Sequence, residues 1–140
     1  MKSEVPVFLI FFALLAFLDS CKQPHNNLTG GGKGGNGTIS VSPEHGGIFI
    51  DSCTVYIKYA TLNAPPTDSM YDDSVSAPLH YVNDTVPVAV FHNLKAGIYY
   101  IYATGIHVGY SPPYVKGGVP FTLVKQDSEN VVVPVYPYNK

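Results

Sequence analysis

Two cysteines, five histidines and ten carboxylates are the side chains of this 140-residue chain best suited to chemistry. Their spacing argues against most of it. His25, His45, His80, His92 and His107 show no metal-ligand spacing with one another or with the carboxylates, and neither H-E-x-x-H nor a paired Cys-x-x-Cys occurs. Asp68, Asp72 and Asp73 share one segment, but a calcium loop alternates its ligands around a turn glycine, and this segment does neither. There is no G-x-S-x-G, no Ser-His-Asp order and no dinucleotide fingerprint. The run GGGKGGNG from Gly30 lacks the Gly-Lys-Ser/Thr ending of a phosphate loop and follows no strand. Cys53 opens a strand-like segment and reads as a buried small hydrophobe, since no base or positive charge near it in sequence would make it a nucleophile. The expectation is a protein that is not an enzyme and holds neither metal nor cofactor.

The tyrosines point elsewhere. The chain has 11 Tyr and no Trp. Tyr100, Tyr102, Tyr110, Tyr114, Tyr136 and Tyr138 cluster in the C-terminal part. Amphipathic rings cover the faces of many β-sheets, and they also make binding platforms at low entropic cost. Tyr100, Tyr102, Tyr110 and Tyr114 form the candidate ligand surface, with the loop Gly109–Tyr114 held open by Pro112 and Pro113.

Strands must position these residues. Thr38–Ser42 alternates, and Pro43–Gly47 reads as a turn. Cys53–Tyr59 places Cys53, Val55, Ile57 and Tyr59 on one face and Thr54, Tyr56 and Lys58 on the other. Asn63–Pro78 is a polar, proline-containing loop. Further strands are expected at Leu79–Val82, Val86–Phe91, Ile98–Gly105, Pro120–Val124 and Asn130–Tyr136. Short strands with turn signals between them predict one antiparallel Greek-key β-sandwich of about seven strands over residues 38–140. Only 13% of the residues are charged and the formal net charge is −2, which excludes the clustered basic surface of a nucleic-acid binder.

The N-terminus has a different character. Val5–Leu18 is an apolar run behind Lys2, shorter than the ~20 residues a spanning helix needs, and it reads as a signal peptide over residues 1–20. Leu18-Asp19-Ser20-Cys21 resembles the bacterial lipobox. That resemblance implies that Cys21 is acylated and becomes the first mature residue, anchoring the protein to the cell envelope at the outer membrane, on its periplasmic or surface face. An ordinary signal peptide with Cys21 as a plain cysteine is the alternative. Residues 21–37 are glycine-rich and read as a flexible tether. With Cys21 lipidated, Cys53 has no partner for an intramolecular disulfide.

The segment from Val88 to Ala103, VAVFHNLKAGIYYIYA, resembles the F-x-x-L-x-x-G-x-Y-x-I/V-x-A signature of transthyretin-like, carboxypeptidase regulatory-like (prealbumin-like) sandwiches. Ile50–Ile57 is similar to an earlier strand of the same families, with Cys53 at the usual small residue. The resemblance implies that Phe91 faces inward, Leu94 plugs the bottom of the sandwich, Gly97 re-enters the next strand at positive φ, and Tyr99, Ile101 and Ala103 face the core. It implies architecture and no activity. Asp68-Ser69-Met70, Asp73-Ser74-Val75 and Asp84-Thr85-Val86 resemble the O-glycosylation tripeptide of some Gram-negative bacteria, making Ser69, Ser74 and Thr85 candidate acceptors; chance turn pairs are the competitor. The expected function is that of a membrane-anchored envelope module, non-catalytic, binding a protein or serving as structure. The alternative is a carbohydrate-binding accessory of a polysaccharide-uptake system.

Overall fold

Alternation along β3 (Cys53–Tyr59) is realised as expected: Cys53, Val55 and Ile57 are buried, and Thr54, Tyr56 and Lys58 are only partly covered. The computed structural model describes residues 28–83 and 85–140. The expected signal peptide of residues 1–20 and the expected lipid site Cys21 lie outside the described residues. Among those described, no helix is long and apolar enough to cross a membrane.

The other strands are β1 (Lys33–His45), β2 (Ile48–Phe49), β4 (Asp73–Val75), β5 (His80–Val82), β6 (Val86–Leu94), β7 (Gly97–Ile106), β8 (Tyr114–Leu123), β9 (Ser128–Pro134) and β10 (Tyr136–Pro137). They form two packed sheets, making an all-β sandwich. One sheet runs β2-β1-β6-β5 with β9 also paired to β1; the other runs β10-β8-β7-β3-β4. Four of the strands are two- or three-residue edge pieces, which is why the described residues carry ten where sequence patterning separates about seven. All the ladders are antiparallel except β1–β9, which is parallel from Thr38↔Ser128 to Glu44↔Pro134. A parallel partner needs a crossover. Here β8 lies in one sheet and β9 in the other, so the chain between them changes layer, and Thr38 N–H donates to Asp127 O at 2.9 Å where it arrives.

The core lies between the sheets. Ile39, Val41, Ala89, Phe91 and Leu94 from the first meet Val55, Ile57, Tyr99, Ile101, Ala103 and Leu123 from the second, all at most 1% exposed. Each fully buried large aliphatic side chain contributes roughly 1.5–3 kcal/mol. Cys53 is a free, buried thiol among them, pushed up to about 12 first by burial and then by the Asp51 carboxylate.

Two sequence expectations need correction. The tether, placed at residues 21–37, ends sooner, because β1 starts at Lys33 and the glycines before it are packed. Ile98 N–H donates to Gly30 O at 2.8 Å, Lys95 N–H to Gly32 O at 2.8 Å, and Gly32 N–H to the buried Tyr99 hydroxyl at 3.0 Å. A Cβ on Gly31 would stand 2.6 Å from Ile98 O. Glycine is needed here for close approach rather than for flexibility. Gly97 belongs to the same contact: its φ is positive, at 159°, as the resemblance implies, and a Cβ there would also stand 2.6 Å from Gly30 O. The loop Asn63–Pro78 also carries structure, a 3₁₀ turn at Asp68–Met70 and the edge strand β4. Asp72 folds it back: its carboxylate accepts from Tyr59 N–H at 2.7 Å and pairs with Lys58 Nζ at 3.0 Å.

Candidate functional site

The outward side of the second sheet is built from tyrosines. Register places Tyr56 opposite Tyr102, and Lys58 opposite Tyr100, across β3 and β7. On β8, Gly118 is opposite Tyr102 and Pro120 opposite Tyr100. Gly118 matters by what it lacks. A Cβ there would stand 2.7 Å from the Tyr100 hydroxyl and 2.8 Å from Cε1, so the bare glycine lets the Tyr100 side chain lie across the neighbouring strand.

Tyr71 reaches this face from the segment after the 3₁₀ turn. Its ring stacks on Tyr102, with centroids 5.6 Å apart and planes 16° from parallel, and lies 5.4 Å from Tyr56. Tyr56 and Tyr102 are 6.1 Å apart, closing a triangle of rings. Beside it opens a groove of ≈ 420 Å³ whose lining includes Pro65, Pro66, Tyr71, Tyr100 and Tyr102 together with Asp68 and Lys116. Burial raises the phenols of Tyr56, Tyr71 and Tyr102 above the ordinary tyrosine range, and the Asp68 carboxylate adds to this in all three. They therefore stay neutral hydroxyls, able to donate and accept hydrogen bonds. Farther along the face, Lys116 Nζ stands 4.4 Å from the Tyr138 ring centroid, and Tyr114 lies 6.2 Å from Tyr138.

Of the four tyrosines chosen from sequence, the structure brings Tyr100 and Tyr102 together in the groove. Tyr114 packs with Tyr138 and with Lys140 Nζ at 5.3 Å. Tyr110 departs from the group: it is 45% exposed and packs on His107 at 4.0 Å and His45 at 5.0 Å. Sequence reasoning missed Tyr71, Asp68, Lys116 and the two prolines of the lining. Tyr56 was on the correct face but not counted, although its period-two relation to Lys58 was visible.

The candidate acceptors Ser69, Ser74 and Thr85 are exposed. Ser69 sits in the 3₁₀ turn with its hydroxyl 3.0 Å from that of Thr67, and Ser74 lies on β4 rather than in a loop. Among the described residues no group of three or more His, Cys, Asp or Glu side chains is placed to hold a metal. Two histidines distant in sequence do meet, with His45 Nδ1 2.9 Å from His107 Nδ1.

No family model, curated protein or solved structure matches the chain.

Proposed function

We propose that this chain is a membrane-anchored lipoprotein of the bacterial cell envelope whose sandwich acts as a non-catalytic binding or structural module, docking a protein partner through the tyrosine-covered face of its second sheet. The observation that carries the binding surface is the triangle of rings Tyr56, Tyr71 and Tyr102 beside a groove lined by Tyr71, Tyr100 and Tyr102. Rigid amphipathic rings are the side chains that most often anchor protein interfaces. The lipobox-like Leu18–Cys21 supports the anchor, and acyl chains contribute about 0.8 kcal/mol per buried methylene. The transthyretin-like reading is supported by the burial of Phe91, Leu94, Tyr99, Ile101 and Ala103, the positions its signature turns inward.

A photo-crosslinker in place of Tyr136, which is 64% exposed beside Lys116, is expected to trap one envelope protein in intact cells. The same group in place of Val132, on the opposite sheet and 51% exposed, is expected to trap none. Equal products from both positions would defeat the assignment of the face. For the anchor, Cys21→Ala is expected to move the protein from the membrane to the soluble fraction, and continued membrane association would refute it.

A second reading, a carbohydrate-binding accessory of a polysaccharide-uptake system, is favoured by one feature of the groove. Its lining combines three tyrosines with one carboxylate and one ammonium, a set without net charge that suits hydroxyl-rich ligands. Binding on a glycan array that Tyr102→Ala removes would establish it; an array showing no binding would leave the protein partner as the reading. Ser69, Ser74 and Thr85 are proposed as glycan acceptors. Intact mass is the measurement, and an unmodified mature chain from its native host would exclude them.

A further inference from the structure

At the end of the sandwich away from the glycine-packed N-terminal stretch, His45 closes β1 and His107 follows β7 directly. Their Nδ1 atoms are 2.9 Å apart, with ring planes 85° from parallel. The centroids are 5.1 Å apart, close to the largest separation that a 2.9 Å contact allows, so the two nitrogens face each other nearly head on. Two neutral imidazoles in that relation share one proton, one ring donating and the other accepting. Head-on lone pairs also describe a linear, two-coordinate metal site.

We propose that His45 and His107 hold one copper(I) ion between their Nδ1 atoms. Imidazole suits copper and zinc alike, so the number and direction of donors decide between them. Structural zinc takes four ligands in a tetrahedron. Among the described residues no group of three or more His, Cys, Asp or Glu side chains is placed to hold a metal, and the two donors of this pair oppose each other along one axis. A two-coordinate d¹⁰ ion is satisfied by that set as it stands.

Metal–imidazole bonds of about 2 Å put the nitrogens of a linear site about 4 Å apart, so the pair has to spread by roughly 1 Å. Glycines that can yield lie within two residues of both histidines. Gly46 and Gly47 follow His45, Gly109 follows His107, and each of the three has positive φ with open space where a Cβ would be. The Tyr110 ring covers His107 at 4.0 Å, and His107 itself is only 8% exposed, which limits the access of water to the ion. The nearby Glu44 carboxylate is turned to Gly47 N–H at 3.1 Å. Binding needs no net proton release at neutral pH: the shared proton leaves Nδ1 and that ring carries it on Nε2. Burial, followed by the proximity of His45, lowers the His107 pKa and so keeps its lone pair available.

The test is an anaerobic titration of the full chain carrying Cys21→Ala, which leaves the buried Cys53 as its one cysteine. Copper(I), kept reduced by ascorbate, is shared with a chromophoric copper(I) chelator. One equivalent retained by the protein is expected, with both Nδ1 resonances shifted in long-range nitrogen–proton spectra. His45→Ala and His107→Ala should each lose that equivalent, while His92→Ala keeps it. His45 is the less buried of the two, so a folded His45→Ala variant by circular dichroism makes the comparison decisive. Retention of the equivalent by His45→Ala, no retention by the parent chain, or tighter binding of zinc(II) at the same two nitrogens would each overturn the proposal.

Discussion

On the outer side of the first sheet, Ser40 lies opposite Val90 on β6 and Asn130 on β9, with Val132 two residues further along. On the outer side of the second sheet the corresponding places carry Tyr56, Tyr100, Tyr102, Lys116 and Tyr136. Both faces obey the same period-two rule and both rest on the same core. At these positions the first presents short side chains. The second gathers large, partly buried rings that pack on one another, and it carries the groove. Alternation decides which residues face out; the size and chemistry of those residues decide whether the face can bind anything.

The largest effect is expected where the two faces share support. Phe91→Ala should cost about 3–5 kcal/mol by denaturant unfolding, with probes on both sheets reporting one transition. Separate transitions would break the comparison, since the faces would then belong to independently stable layers. Next, Gly118→Val should cost about 1–3 kcal/mol by pressing on Tyr100 and on Ile101 O, whereas Ser40→Val on the opposite face should stay within about 0.5 kcal/mol. Equal costs would show that the tyrosine face is no more tightly fitted than the other. At the level of binding, Tyr102→Ala should weaken the ligand or partner by about tenfold or more, and Val132→Ala should leave it unchanged.

Smaller effects appear in pH dependence. The phenols of Tyr56, Tyr71 and Tyr102 are raised by burial and by Asp68. Above the ordinary tyrosine pKa of about 10 the unfolded chain gives up these protons while the folded chain keeps them. Stability should therefore fall as pH rises past 10, and Asp68→Asn should move the ultraviolet phenol titration toward lower pH. No change in that variant would separate Asp68 from the groove. Acid acts on the other end of the fold. His107 has a lowered pKa, so the unfolded chain binds a proton first, and stability full above about 6.5 should decline as pH falls below it. His107→Asn should flatten that decline in thermal melts.

The core was the most legible part of the molecule. Phe91, Leu94, Tyr99, Ile101 and Ala103 could be placed inward because turn, glycine and alternation agree within one segment of chain. The groove was half legible: Tyr100 and Tyr102 follow from the same alternation, but Tyr71 comes from a polar loop with no period. Its position depends on Asp72 binding the end of β3, a contact between segments. The glycine run was misread for a related reason. Composition cannot distinguish a glycine that is free from one that is crowded, and at Gly31 the crowding comes from Ile98 and Tyr99, far along the chain.

From the chain alone came what depends on near neighbours: the strands, their inward and outward sides, the low charge, the lipobox-like segment and the expectation of a sandwich. Tertiary structure decided what depends on pairs remote in sequence. It sent Tyr110 away from the other tyrosines to the two histidines, built β4 from a loop, and locked the glycines of the supposed tether against β7. It also joined His45 to His107 across 62 positions. Periodicity is a property of consecutive residues, whereas a site is a coincidence in space, set only when the two sheets close on each other.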